Sequence, residues 1–528
     1  MACCSEGRRG DIMSICRQGH LLSHVPRLRG MRLAVIRYIW LLVALLVALE
    51  PAYVHPDEHM QSVEVMMQKI FGLRGTVPWE FQPEYAARSF APLWIFMGPA
   101  LVAARLFNAG PRVVLGLLRI QGYFLYVSLT RVAVELVGRT KLRRSMAAFL
   151  LSTTYVVGAF QSHTFSNSIE TLLAVAAVGL LEVVIADGRA GHRHVRISGV
   201  LGFLIALGLF NRVTFAGYLG LPCIVAFWQF YRRQWRSLAA LLLCFLLTSG
   251  ACIWIDTLSY GTSEWVITPL NNLLSIWMRR ILLNMGFTPR ILTYLVNLPM
   301  LLGPGLLFAL GGIQRLSLPL LSCVSGVATL SLFKHQEARF LLPDVPLFLM
   351  SVDLTKLRTV SLTLTLKLWL AFNGLMVVIM GVGHQRGVIT ALHQLREEPI
   401  GVQVWWKTYS PPTWVLMNEA LTVSTTNFVG DDERIDEVPL DVTRNHVIDL
   451  KGCNIELLNH TLSQFIAAGS KVHLIVPDSV AKKTALLTKR YGFDIHREFR
   501  TLVHLDLDHL DWSEPSSFTP GLSIYTVT

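Results

Sequence analysis

The chain has 528 residues, of which 52% are hydrophobic and only 16% charged, and its net charge is +12. A soluble domain carries roughly one quarter charged residues, so this composition excludes an ordinary soluble globular protein and indicates one built into a membrane. The positive charge is no sign of a nucleic-acid partner, because the basic residues fall in short blocks between apolar runs, where the preference for Lys and Arg on the cytosolic side accounts for them.

Residues 1–32 read as a cytosolic extension that ends in Arg27, Arg29 and Arg32. The apolar run Leu33 to Leu49 follows without a small-residue cleavage site, which makes it an uncleaved signal anchor. Next comes a polar loop, residues 53–90, far too long for a tight turn and therefore expected to carry function. Further apolar runs cover about 91–107, 114–137, 145–160, 168–186, 197–230 with a break near Asn211, 237–255, 291–313, 316–332, 340–352 and 361–382. These give residues 33–382 as a multi-pass helical membrane domain with about ten to twelve crossings.

From residue 383 the membrane signal stops. Lys471 to Pro477 reads as a strand and Val480 to Arg490 as a helix, so residues 383–528 form a small α/β domain. The eight cysteines show no disulfide or metal-ligand spacing.

Each crossing switches side, and the basic blocks Arg139 to Arg144, Arg189 to Arg196, Arg232 to Arg236 and Lys356 to Arg358 are separated by even numbers of runs. All fit the cytosolic side, which puts Asn167, Glu337 and the C-terminal domain on the lumenal side. The loop 53–90 joins them there only if one run between 91 and 137 fails to cross. Residues 112–137, with Arg112, Arg119, Arg131 and Glu135, are the weakest candidate.

Several groups of residues carry chemistry. His55-Pro-Asp-Glu58 opens a helical pattern of Met60, Val63, Met66, Met67 and Ile70, expected to lie along the membrane surface. Asp57 and Glu58 suit the first turn of a helix for reasons of dipole alone, but a carboxylate at a membrane face also meets lipid-borne substrates. An inverting sugar transfer to a hydroxyl needs one carboxylate as base and cations for a departing phosphate. The cations are sought in Phe333 to Phe340, where His335 and Arg339 share a face if the segment is helical and Lys334 stands beside them. The alternative is a patch of snorkelling juxtamembrane charges. Pro78 to Phe81, with Trp79, Glu80 and Arg88, offers aromatic and polar groups to a sugar. Asn167 and Glu170 have the spacing of a helix-capping box. No Asp-x-Asp metal motif is evident where the donor would bind.

His55-Pro-Asp-Glu58, Trp79-Glu80, Arg88-Ser89, Asn167-Ser168-x-Glu170 and His335-Gln-Glu-x-Arg-Phe340 together resemble glycosyltransferase family 22, over residues 33–382. The resemblance implies the GT-C fold, an endoplasmic-reticulum membrane enzyme with a lumenal active site, and dolichyl phosphate mannose as donor with no cofactor or metal. Gln61-Ser62-x-Glu64, Pro78 to Phe81 and Thr408 to Trp414 resemble the branch that adds a fourth, α-1,2-linked mannose to a GPI precursor glycolipid. His59, Met60 and Gln336 depart from the family pattern.

Carried over, Asp57 is the base and Glu58 its neighbour in the acceptor site. His335 and Arg339 hold the donor phosphate with Lys334 and Glu337, and His55, Trp79, Glu80, Arg88, Asn167 and Glu170 touch substrate. Two other readings stand beside it: another member of the family, and a secondary transporter, whose inverted hydropathy repeat is not visible.

Overall fold

The computed structural model describes residues 33–138, 140–188, 193–282, 290–313, 316–333, 336–357, 359–397, 401–429, 432–435 and 445–528. The extension 1–32 and the candidate phosphate ligands Lys334 and His335 lie outside the described residues. In hydrocarbon every N–H and C=O must be bonded within its own segment, so apolar runs become helices. Among the described residues five are long and apolar enough to cross a membrane: Pro111–Val137, Ser166–Ala186, Trp235–Tyr260, Thr293–Gly312 and Leu362–Gly383. Shorter apolar helices are Leu33–Ala48, Val195–Asn211 and Leu318–Leu330. Only 6% of the most apolar stretch of Trp235–Tyr260 is buried, the condition of a helix whose surroundings are lipid.

The run expected to be the weakest span is the one that stays intact. Pro111–Val137 is an unbroken helix of 27 residues, and its Arg119 is wholly buried in an ion pair instead of facing lipid. The run 91–107 is broken into Ala91–Phe96 and Gly98–Leu106, parted at Met97 just before Gly98-Pro99. Helices of 6 and 9 residues fall far short of the roughly 20 that a crossing needs.

Contacts show which turns lie together at each end of the helical body. Arg143 pairs with Asp353 at 2.5 Å, Lys356 reaches the Ile313 carbonyl at 3.2 Å, and Ile313 bridges Val352, so these basic turns share one side. At the other end of the helical body, the Tyr53 hydroxyl donates to the Ser410 carbonyl at 2.8 Å, joining the first loop directly to the C-terminal domain.

That domain holds a seven-stranded sheet in the order β3-β2-β4-β1-β5-β7-β6. Its strands are β1 (Val402–Trp405), β2 (Thr422–Val429), β3 (Asp432–Ile435), β4 (His446–Asp449), β5 (Val472–Pro477), β6 (Ile495–Thr501) and β7 (Leu522–Val527). β1 runs parallel to β4 and β5, and β7 is antiparallel to both β5 and β6. Side chains alternate across a strand, and here both faces are covered. Val402, Val404, Ile448, Leu474 and Val476 pack in one core together with Leu458, Leu462 and Leu487 of the helices Ile455–Ala467 and Ala481–Tyr491. Trp405, Val447, Ile475 and Ile524 join the core of the helical body, where Val388, Ile389 and Leu392 of the helix Arg386–Leu395 also lie.

Candidate active site

The His-Pro-Asp-Glu segment leads into a wide π-helical turn, His59–Val63, and then the helix Glu64–Phe71, closed by Gly72 at φ +74°. Met60, Val63, Met66, Met67 and Ile70 are buried as their helical spacing requires, but so are Glu58, His59, Gln61, Ser62 and Glu64. The segment therefore does not lie on the membrane surface with a wet polar face. It is enclosed between the helical body and the C-terminal domain, and only its first residues, His55 to Asp57, are part-exposed.

The side chain of Asp57 is 23% exposed, and its Oδ2 lies 2.5 Å from Nη1 of Arg339. Arg339 also binds Glu337 through Nε. The expected helix through residues 333–340 does not extend to Glu337, whose backbone is extended at φ −128°, ψ 156°; a short 3-10 turn, Ala338–Leu341, starts after it. Arg339 is thus aimed by a turn and two carboxylates, and not by an i,i+4 helical face.

The amide of Asp57 donates to His55 Nδ1 at 3.2 Å, which puts the imidazole proton on Nε2, facing Glu337 at 3.3 Å. Burial and the Arg339 charge push His55 below the ordinary histidine range, so it is neutral at neutral pH.

A second charged group adjoins the first. Arg88 donates to Gln61 Oε1 at 3.0 Å, Gln61 donates to Glu80 Oε1 at 3.0 Å, and Arg88 lies 3.8 Å from the same carboxylate. Burial raises Glu80, with Arg88 opposing and Asp57 adding to the rise. Trp79 packs edge-on to Tyr85 at 5.6 Å.

Glu170 does not close a capping box: its Oε2 pairs with Arg212 Nε at 3.1 Å and its Oε1 accepts from Thr214 at 2.6 Å. Arg212 also donates to Ser166 Oγ at 3.1 Å. Asn167 is wholly buried beside these groups, and its carbonyl accepts from Thr171 at 2.8 Å.

Arg212 is the charged member of this cluster that the motif reading missed. It lies within electrostatic reach of Arg88, Arg339 and Asp57. Its guanidinium and that of Arg339 each stand 5.1 Å from the ring centre of Phe340. A signal was present: Asn211-Arg212 interrupts an otherwise apolar run, and a charge so placed is a functional-site candidate by default. Three guanidiniums are thus gathered among the carboxylates of Asp57, Glu337, Glu80 and Glu170.

Glu58 plays a different part from its neighbour. It is fully buried, 2.7 Å from Arg119 Nη2 and 2.8 Å from His163 Nδ1. Burial alone would raise its carboxyl, but Arg119 and the histidines outweigh that and hold it far below the ordinary range. Arg119 also donates to the Ala52 carbonyl at 2.8 Å, tying the loop entrance to the helix Pro111–Val137. Glu58 thus anchors the turn that presents Asp57.

The C-terminal domain locks the same turn from the other side. His59 Nδ1 accepts from Trp414 Nε1 at 3.2 Å; the ring is pushed down to about 4 by burial and is neutral, as an acceptor must be. Glu64 accepts from the Trp414 amide at 3.1 Å and from the Thr413 hydroxyl. Burial pushes Glu64 up to about 7 from 4.5 against those hydrogen bonds. The folded protein therefore keeps a proton that the unfolded chain has already lost above pH 4.5. Its stabilising contribution is complete below about pH 4.5 and is lost as pH rises through about 7. The thermal midpoint of the wild type is expected to fall across this window more than that of Glu64→Gln. Parallel profiles of the two proteins would refute this.

Helical body, charged cleft and capping α/β domain define a membrane protein of the GT-C fold. The crystal structure of ArnT from Cupriavidus metallidurans bound to undecaprenyl phosphate shares that fold, with a TM-score of 0.54 at 10% identity over 93% of this chain and 97% of that one. The chain belongs to the Alg9-like mannosyltransferase family, whose profile matches residues 35–418, and it is a mannosyltransferase. It is 97% identical over 498 residues, 94% of this chain and 100% of the relative, to GPI mannosyltransferase 4 of Eremothecium gossypii. To GPI mannosyltransferase 4 of Saccharomyces cerevisiae it is 38% identical over 513 residues, 93% of this chain and 99% of the relative. The profile runs past the expected limit of 382 and takes in Tyr409, Thr413 and Trp414.

Proposed function

We propose that this enzyme transfers a fourth, α-1,2-linked mannose from dolichyl phosphate mannose to the third mannose of a GPI anchor precursor, with inversion, at the lumenal face of the endoplasmic-reticulum membrane. The observation that carries the reading is the 2.5 Å pairing of Asp57 with Arg339, with Arg212 within electrostatic reach of both and of Arg88. The relatives named above support the acceptor, and the lipid phosphate in the ArnT structure supports a polyprenyl phosphate donor.

Asp57 takes the proton of the attacking hydroxyl as that oxygen bonds to C1 of the donor mannose. The bond from C1 to the phosphate oxygen breaks on the opposite face, and its electron pair leaves with the dolichyl phosphate. Arg339 and Arg212 receive the phosphate charge, with Phe340 fixing the planes of their guanidiniums. As the phosphate shares Arg339, the Asp57 carboxylate is released to accept a proton.

The leaving phosphate needs no protonation and its charge is met by guanidiniums, so turnover is expected to survive chelation of divalent ions. Loss of activity with chelator and recovery with manganese would overturn that part. The reading as a whole is tested with membranes containing this protein, the donor and defined acceptors. Mannose should pass to a three-mannose GPI intermediate, and preference for a two-mannose intermediate or an N-glycan lipid precursor would assign another activity of the family. Arg212→Lys should raise the KM for donor about tenfold or more, because an ammonium cannot keep both the Glu170 contact and a two-pronged hold on phosphate.

A further inference from the structure

The C-terminal domain sends two segments that are distant in sequence over the cleft: the turn after β1 that carries Tyr409, and the stretch after β6 that carries Asp508. Tyr409 stands among three rings, 5.6 Å from both Tyr53 and His384 and 6.3 Å from His55 of the His-Pro-Asp-Glu motif. Its hydroxyl lies 3.3 Å from His384 Nε2, and the Asp508 carboxylate is close enough to act on it electrostatically. Asp508 in turn lies within electrostatic reach of His55, two residues from Asp57.

The segment holding Asp508 is tightly placed. The Leu505 amide donates to the Gly383 carbonyl at 2.8 Å and the Gln385 amide to the Leu505 carbonyl at 3.1 Å. Asp506 accepts from Ser479 at 2.6 Å, from His509 at 2.9 Å and from the Asp508 amide at 3.2 Å. Asp506 is buried and accounts for the anchoring, whereas Asp508 is exposed. The result is a carboxylate held by a rigid frame, open to solvent, next to a half-buried aromatic ring and the motif that ends in Asp57.

An aromatic ring with a fixed carboxylate beside it is a surface that sugars bind, the ring against C–H faces and the carboxylate accepting from hydroxyls. We propose that Tyr409 and Asp508 of the C-terminal domain form one wall of the acceptor subsite and bind hydroxyls of the mannose that receives the new residue. The inference rests on the reading of the reaction given above and assigns a task to the appended domain: the helical body holds the lipid donor, and the α/β domain selects and orients the acceptor. It also accounts for the Trp414 and Thr413 contacts to His59 and Glu64, which hold the domain in register with Asp57.

The test uses the full-length protein in detergent or nanodiscs, with dolichyl phosphate mannose and a three-mannose GPI acceptor varied in turn. Asp508→Asn keeps size, and Tyr409→Phe removes only the hydroxyl. Asp508→Asn should raise the acceptor KM about ten- to a hundredfold, the size of one charge-assisted hydrogen bond, and Tyr409→Phe about two- to tenfold, that of a neutral one, while donor KM stays within about twofold in both. Acceptors lacking one hydroxyl of the terminal mannose provide the second arm. The analogue missing the hydroxyl bound by Asp508 should lose a similar factor with wild type and little further with Asp508→Asn.

Unchanged acceptor KM in both variants overturns the proposal. So does an equal rise in both KM values accompanied by a lower thermal midpoint, the mark of a structural role. If the wild type uses a different mannose acceptor, the reading of the reaction falls on its own, and the same variants are scored on the acceptor it does use.

Discussion

Asp57→Asn is expected to lower mannose transfer by about a hundred- to ten-thousandfold, the usual worth of general-base catalysis, in a protein that still folds and inserts. The amide keeps the size of the side chain and an oxygen for Arg339 but cannot take the proton of the acceptor hydroxyl. The stability cost should be small, on the order of 1 kcal/mol, because the pair is part-exposed and Arg339 retains Glu337 as an anionic partner. Rate and stability thus separate a base from an acid that merely suits a helix start. The measurement is the initial rate in membranes holding equal amounts of each variant, beside the thermal midpoint of the solubilised protein. Near wild-type turnover would pass the role of base to Glu337 or Glu80, which share the cluster; Glu58, fully buried against Arg119 and His163, is not available to substrate.

Arg119→Leu is expected to have the largest effect on folding, about 3–5 kcal/mol, because it leaves Glu58 buried without its principal counter-charge. The same change strips the Ala52 carbonyl of its donor at the entrance to the loop. Adding Glu58→Gln should recover part of the loss, since a neutral amide costs less to bury than an unpaired carboxylate, and the double variant should be less destabilised than the sum of the singles. Strictly additive effects, or an Arg119→Leu protein that melts like the wild type, would show that the pair does not hold the turn.

Much of this architecture is legible in residue order, because the forces involved are local. A membrane imposes length and apolarity on each helix, so the runs ending near residue 382 announce themselves, as does the change to a mixed domain after them. Alternation over a short apolar stretch gives β5, and the pattern from Val480 gives the helix Ala481–Tyr491. The motif around Asp57 and the Arg339 motif also stand out, since charged groups at the ends of apolar runs are costly to keep without a task.

What the order of residues leaves open is which charge meets which. The backbone of Glu337 is extended and a 3-10 turn follows it, and Arg339 on that turn meets Asp57. Glu58 and Asp57 are neighbours with opposite fates, one enclosed by Arg119 and His163 and the other in the cleft, because adjacent side chains on a helical turn point about 100° apart and only packing decides what lies in each direction. Glu170 aims Arg212 instead of capping its own helix. The run 91–107 is split into helices of 6 and 9 residues just before Gly98-Pro99, while the more charged helix Pro111–Val137 stays intact by burying Arg119. Hydrophobic length and period are properties of a segment and can be read from it. The partner of a buried charge is set by elements far apart in the chain, as Tyr409 beside His55 and Arg339 beside Asp57 are, so only the tertiary structure determined it.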